Sequence, residues 1–548
     1  MSESMSVFAK TIMEQKYSHT KSDGTKESWE EIAQRVATNV LKSVNAKKSL
    51  VKEVAQIISS RKFIPGGRYL YASGRNFHQV QNCLLLKAED SREGWADLLH
   101  KAAMALMTGA GIGIDYSQIR AEGKTIRRTG GTATGPLALM KMVNECGRGI
   151  MQGGSRRSAI WAGLNWNHPD IMKFIEAKNW TPEVRKLKAN DFNFPADLDG
   201  TNISVLLDDL FFKAYNDEKH KLHSHANTIY WAVIKRMLKT SEPGFSVDTG
   251  VNKNETLRNA CCEITSADDS DICNLGSINM AKITDLADME NTVRLATAFL
   301  LAGTVYSDVP YPKVDQTRTK NRRIGVGLMG LHEWLIKKGK KYGPDDELEQ
   351  YLNLYKNISD ATSLEYSTLW ELSTPVKVRA IAPTGSIGIL AETTTGIEPI
   401  FCVAYKRRYL KHTTWNYQYV IEPVAKRLIE QGVNPDTIED AYSLAVDVER
   451  RLEFQAWVQQ FVDHAISSTI NLPAYGSELN NKGTRQEFGE MLIKYLPKVR
   501  GVTCYPDGAR DGQPLTPVKY QTAMKHEGQV FLESSDICSI TKGGSCGE

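Results

Sequence analysis

The chain has 548 residues, 41% of them hydrophobic and 24% charged, with a net charge of only +4. That is the composition of a water-soluble globular protein of several units, and it gives no reason to expect nucleic-acid or membrane binding. No apolar run reaches the roughly 18 residues of a membrane helix, and the opening MSESMSVFAKTIMEQ lacks a signal-peptide core, so a cytoplasmic protein is expected.

In chain order, residues 28–60 read as helical. Ser28 and Glu31 form a capping box, and Trp29, Ile32, Val36 and Val40 recur at helical spacing. Phe63-Ile-Pro-Gly-Gly-Arg68 breaks the pattern. Glycine clusters at Gly109–Gly113, Gly130–Gly131 and Gly153–Gly154 then alternate with short apolar runs, as in a large α/β body with tight turns. Helical patterns return at about 288–305 and 444–468, and Val376–Ile381 alternates like a strand running into Pro383-Thr-Gly-Ser386. From Gly512 periodicity fades, and the chain ends in glycines beside Cys538 and Cys546, which predicts a mobile tail. About thirty extended residues reach about 100 Å. Three regions follow: a helical stretch over 1–60, a body over 61–511 and a tail over 512–548.

Nine cysteines stand at 83, 146, 261, 262, 273, 402, 504, 538 and 546. None forms C-x-x-C, so neither a zinc ribbon nor a thioredoxin-type pair is signalled, and no metal ligand set is expected. A cytoplasmic setting argues against structural disulfides. Asn259-Ala-Cys261-Cys262-Glu263 is the densest chemistry in the chain. In an extended loop, residues 259, 261 and 263 share one side, presenting an amide, a thiol and a carboxylate together. A packed cysteine in a surface loop is the plainer reading of that segment alone.

Its context adds Cys273-Asn-Leu-Gly-Ser, Gln81-Asn82-Cys83-Leu, Gly109-Ala-Gly-Ile-Gly-Ile-Asp115, Gln118-Ile-Arg120, Ala382-Pro-Thr-Gly-Ser-Ile387 and Thr393-Thr-Thr-Gly-Ile-Glu-Pro399. Together these resemble the catalytic subunit of ribonucleotide reductases over roughly residues 60–515. The resemblance implies a ten-stranded α/β barrel of two parallel five-stranded halves joined antiparallel, with a finger loop near 255–265 threaded through its centre. It implies a thiyl radical on Cys261, Glu263 as general base, Asn259 holding substrate hydroxyls, and Cys83 with Cys273 as the dithiol oxidised each turnover. Cys262 fills the variable position and is expected to face away from substrate. Cys538 and Cys546 would re-reduce the active-site disulfide by thiol–disulfide exchange, served in turn by an external dithiol reductant such as thioredoxin or a glutaredoxin-like protein.

By the same resemblance Thr384, Gly385, Ser386 and Ile387, with Ser73 and Asn82 opposite, would bind the ribonucleotide substrate. Backbone N–H groups at a helix start suit its phosphates. Asp90 and Arg120 would bind a nucleoside triphosphate specificity effector, with a connecting loop around Lys178–Arg185 carrying its message. With only about sixty residues before the body, an added activity-regulating module is not expected, and the short interval between Cys83 and Cys261 points to a homodimer. The chain has no Tyr-Tyr pair for a radical relay and no glycyl-radical motif, and Gly501-Val-Thr-Cys-Tyr505-Pro-Asp-Gly508 resembles the class II pattern. Adenosylcobalamin is therefore the expected radical source. The alternatives are a class I large subunit served by a separate metal-containing subunit, or a non-catalytic nucleotide-binding regulatory paralogue.

Overall fold

The computed structural model describes residues 5–127, 130–152, 156–191, 194–250, 253–411, 414–509 and 515–532. The N-terminal helices are Val7–Lys16, Trp29–Lys42 and Lys48–Ser59. The capping box forms as expected: Ser28 Oγ accepts from Glu31 N at 3.2 Å, and Glu31 Oε2 accepts from Ser28 N at 2.7 Å. Trp29, Ile32, Val36 and Val40 all point inward, into one apolar core with the long helix Leu286–Tyr306.

Ten strands make the main sheet: β1 Phe63–Pro65, β2 Cys83–Lys87, β3 Gly111–Asp115, β4 Ile160–Asn165, β5 Thr201–Asp208, β6 Gly244–Asp248, β7 Asp271–Asn279, β8 Ile324–Met329, β9 Thr469–Leu472 and β10 Gly501–Pro506. Strands β2 to β6 run parallel in sequence order. Helices cover them, so β2 and β3 are apolar and buried nearly throughout. Both ends of this parallel set meet antiparallel neighbours, β7 beside β2 and β10 beside β6. Beyond those junctions the pairing is parallel again, β7 with β8 and β9 with β10.

The strand expected over 376–381 is reduced to two isolated parallel bridges, Val326↔Arg379 and Ile381↔Ile466. The cause is local. The Asp463 carboxylate accepts from Val378 N at 2.9 Å and Arg379 N at 2.7 Å, taking donors that a regular ladder would use. For the same reason the helix expected over 444–468 is cut short. It becomes a 3-10 turn, Ser443–Val446, and a helix, Val448–Gln459, because the chain then turns in to pair with residues 379–381.

The tail boundary at 512 also needs correction. Leu515–Pro517 and Val530–Leu532 are edge strands on the hairpin Ala404–Lys411/Thr414–Ile421, with the helix Tyr520–His526 between them. Strands of three residues are too short to show a period, and their partners lie about a hundred positions away. Among the described residues, no helix is long and apolar enough to cross a membrane.

Candidate functional site

A small apolar cluster, separate from the core around helix Leu286–Tyr306, gathers Cys83, Leu85, Leu257, Ile264, Cys273, Leu275, Ala380 and Ala382. Two strands, one hairpin and the 379–382 segment supply it. The hairpin pairs Leu257–Arg258 with Thr265–Ser266 and carries residues 259–264 at its tip. It enters against β3 because Gly113 has no side chain: a Cβ there would lie 1.7 Å from Arg258 O. Arg258 is buried and anchors the hairpin, its guanidinium donating to Leu257 O at 3.0 Å and Val247 O at 2.8 Å.

The tip is a tight turn rather than the extended loop expected. Cys262 N donates to Asn259 O at 3.0 Å, and Asn259 Oδ1 accepts from Ile264 N at 3.0 Å. Cys262 takes a left-handed conformation, φ +67°. The turn, not strand alternation, gathers Asn259, Cys261 and Glu263. Cys262 does not simply face away: it lines, with the exposed Cys261, a small cavity bounded by Ser204, Ser246, Ser467 and Thr503. A left-handed residue tolerates glycine and resists β-branching. Cys262→Gly is therefore expected to keep activity, with stability within about 1 kcal/mol of wild type. Cys262→Val should be less stable than Cys262→Gly by on the order of 1–3 kcal/mol in denaturant melts.

Cys83 and Cys273 are direct register partners across the antiparallel β2–β7 pair, and both are buried thiols. Opposed Cα atoms in such a pair are about 4.5–5.5 Å apart, within the span of a disulfide. Burial, reinforced by Glu263 for Cys83 and by Asp271 for Cys273, pushes both thiols well above their ordinary range and keeps them protonated. Cys83 Sγ donates to Glu263 Oε1 at 3.8 Å. Burial pushes the Glu263 carboxyl up to about 7, although hydrogen bonds from Asn259 and Cys83 pull the other way. Glu263 Oε2 is buried and has no hydrogen-bond partner. The five residues singled out in sequence thus meet at one place: three at the hairpin tip and two on adjoining strands.

The 379–382 segment runs past these cysteines into the turn that opens helix Gly385–Ala391. Thr384 sits there with φ +52°, its Oγ accepting from Gly396 N at 2.8 Å, and open space faces Gly385. Ser386 is half-buried and Ile387 buried. Asn82 leads directly into Cys83, with its N donating to Cys273 O at 3.2 Å. Ser73 is buried at the end of helix Gly67–Ala72, where its carbonyl accepts from Arg35 at 2.7 Å.

Asp90 and Arg120 are brought together, though with each other, as a partly exposed ion pair at 2.7 Å. The segment expected to be a loop around Lys178–Arg185 is partly helical, since Pro182–Asn190 forms a helix capped by Thr181. Cys538 and Cys546 lie outside the described residues.

Sequence reading missed the polar residues at the base of the hairpin: the buried Arg323, Lys377 and His464, and the half-buried Glu255. His464 Nδ1 accepts from Thr265 N at 3.1 Å, and burial with nearby cations holds the imidazole well below its usual range, hence neutral. The only sequence signal was a lysine inside an apolar alternation. A larger cavity of about 610 Å³ opens at the ends of β9 and β10, lined by Phe401, Tyr442, Val446, Leu472, Leu479 and Tyr505, with Asn471, Ser477, Glu478 and Asp507 as polar groups.

Comparison with known proteins identifies the family. A family model for the ribonucleotide reductase all-alpha domain matches residues 3–78, and one for the ribonucleotide reductase barrel domain matches 81–225, 216–368 and 376–495. The vitamin B12-dependent ribonucleoside-diphosphate reductase of Mycobacterium tuberculosis is 27% identical, across 99% of this chain and 82% of its own length. The enzyme of the same name from Thermoplasma acidophilum is 28% identical, across 88% of this chain and 68% of its own. With the family models covering most of its length and a dithiol pair set against a thiol-bearing hairpin, the chain belongs to the ribonucleotide reductase family.

Proposed function

We propose that this chain reduces ribonucleotides to 2′-deoxyribonucleotides by adenosylcobalamin-dependent thiyl-radical chemistry on Cys261. The observation that carries the reading is the register pairing of Cys83 with Cys273, facing a hairpin tip that bears Asn259, Cys261 and Glu263. The class of the enzyme rests on the B12 dependence in the names of both relatives.

The fold supports it. The pairings run from β2 to β6, on through β10 and β9, then from Ile466 just before β9 to Ile381, from Arg379 to β8, and through β7 back to β2. That circuit is consistent with a closed ten-stranded barrel of two parallel halves around a finger loop. The helical region 1–60, the barrel body over 61–511 and a redox tail beyond the folded Leu515–Leu532 stretch would be its units.

The cavity of about 610 Å³ suits part of a corrin: its apolar walls fit the macrocycle, and Glu478, Asp507 and Asn471 can accept from peripheral amides. Tyr505 of β10 lines this cavity, and the same strand borders Cys261 through Gly501, Val502 and Thr503. Adenosylcobalamin, when bound, would supply the one-electron chemistry by which Cys261 becomes a thiyl radical.

Within the chain, Cys261 takes the 3′ hydrogen atom of the ribose. Glu263 Oε2, buried and unpartnered, takes the 3′-hydroxyl proton, and Asn259 holds the hydroxyls in place. The 2′-hydroxyl leaves as water while Cys83 and Cys273 give up two electrons and two protons to become a disulfide. Cys261 then returns its hydrogen to C3′, and Glu263 returns its proton to the 3′ oxygen. The net exchange is one ribonucleotide and one dithiol for one deoxyribonucleotide, one disulfide and one water. Cys538 and Cys546 would reduce that disulfide, and an external dithiol such as thioredoxin would reduce them. Thr384, Gly385, Ser386 and Ile387, with Ser73 and Asn82, bind the substrate. Asp90 and Arg120 release each other to hold the effector's ribose and phosphates across a homodimer interface.

The test is direct. Purified protein with dithiothreitol and a ribonucleotide should form deoxynucleotide only when adenosylcobalamin is added. Product that depends instead on a separate metal-containing subunit would overturn the assignment to class II.

A further inference from the structure

Beneath the hairpin lies a buried ionic cluster that the proposed chemistry does not use. Lys377, from the segment beside β8, pairs through Nζ with Glu255 Oε2 and donates to Thr265 Oγ at 3.0 Å. Thr265 Oγ in turn donates to Glu255 Oε2 at 2.7 Å. Glu255 precedes the first strand of the hairpin and Thr265 begins the second, so one lysine holds both legs. The cluster is tied outward as well. Arg323, at the entry to β8, is 3.1 Å from Glu255 and 2.6 Å from Asp271, and Asp271 accepts from Ser266 Oγ at 2.7 Å. Asp271 stands on β7, the strand that carries Cys273. Both Lys377 and Thr265 are buried.

We infer that Lys377 is a positioning residue for the reaction: its grip on Glu255 and Thr265 sets where the hairpin tip places Cys261 relative to the Cys83/Cys273 pair. This rests on the proposed role of Cys261. A displacement of about 1 Å at a reacting atom can cost about a hundredfold in rate. A hairpin held at its tip by one turn depends on its base for that placement.

The charge balance around the lysine gives a readout that simple packing would not. Facing its ammonium are Glu255 and Thr265 from the hairpin, Arg323 from the start of β8, and Asp463 and His464 from the segment before residue 466. Burial pushes Lys377 down to about 8, with Glu255 opposing that shift. Burial pushes Glu255 up, but Lys377 and Arg323 outweigh it and hold that carboxyl below its usual value. The ion pair therefore breaks as pH rises through about 8. The thiols of Cys83, Cys262 and Cys273 are all pushed above their ordinary range, and so do not titrate there.

The experiment compares wild type, K377M and K377R in two assays. In the first, kcat and KM for the ribonucleotide are followed against pH with adenosylcobalamin. Wild-type kcat should fall above about pH 8. K377M should lower kcat by on the order of a hundredfold with KM unchanged. K377R should restore most of kcat and move the alkaline limb up out of the assay range, because arginine stays charged.

The second assay measures the alkylation rate of Cys261 by iodoacetamide, read by peptide mass spectrometry. It needs no cofactor, so it still tests the hairpin if wild type makes no deoxynucleotide and the proposed function fails. K377M should change that rate severalfold while K377R matches wild type. Unchanged kcat and unchanged alkylation in K377M would overturn the inference, as would a K377R alkaline limb that stays near pH 8. If K377M does not fold, the K377R limb alone decides.

Discussion

Cys261→Ser is expected to abolish deoxynucleotide formation at every substrate concentration, while Cys262→Ser keeps it. The two residues are neighbours and line the same small cavity, but they differ in exposure and in backbone setting. Cys261 is exposed at the tip, where a substrate can meet it. Cys262 occupies the left-handed corner of the turn, and burial pushes its thiol up. A sulfur can hold an unpaired electron reversibly, and a serine oxygen cannot, because its O–H bond is much stronger than S–H. Loss of activity in Cys261→Ser is therefore chemical rather than structural. At an exposed position the swap should change stability by no more than about 0.5 kcal/mol. Labelled-nucleotide turnover and a thermal melt on each variant check both halves. An active Cys261→Ser beside a dead Cys262→Ser would move the radical to the neighbouring sulfur.

The residues of the site were legible in sequence because their chemistry is tied to short motifs, but their geometry was not. Asn259, Cys261 and Glu263 converge through a turn closed by Asn259, which alternation along an extended loop does not describe. Local signals read well where a single element satisfies its own backbone. The Ser28 capping box and the helix Leu286–Tyr306 are examples. They failed where the partner is remote. Asp463 replaces a strand for Val378 and Arg379, and Leu515–Pro517 finds its ladder on residues 405–407. The same limit hid Lys377. In sequence it is one of two basic residues in a strand-like alternation, and only the fold sets it between the two legs of the hairpin.

Glu263→Gln should lower kcat by about 10²–10⁴-fold, the usual contribution of a positioned general base. In wild type the activity should also climb as pH rises through about 7, since burial pushes the carboxyl up to that value and only the ionised form takes a proton. The sign for stability is opposite. A carboxyl whose folded pKa lies above its unfolded one contributes stability that is fully present below the unfolded value, and it is lost as pH rises through the folded value. Ionising Glu263 in its buried setting thus weakens the fold by on the order of 3 kcal/mol at pH 8. Glutamine keeps the shape without the charge, so Glu263→Gln should match wild type in stability near pH 4 and exceed it near pH 8. Catalysis and stability then move apart in one substitution, as expected where a site holds a destabilising group for its chemistry. Denaturant melts at the two pH values, set beside single-turnover rates, measure both. Full activity in Glu263→Gln would remove it as the base, and a variant less stable than wild type at pH 8 would show the carboxylate to be a structural anchor instead.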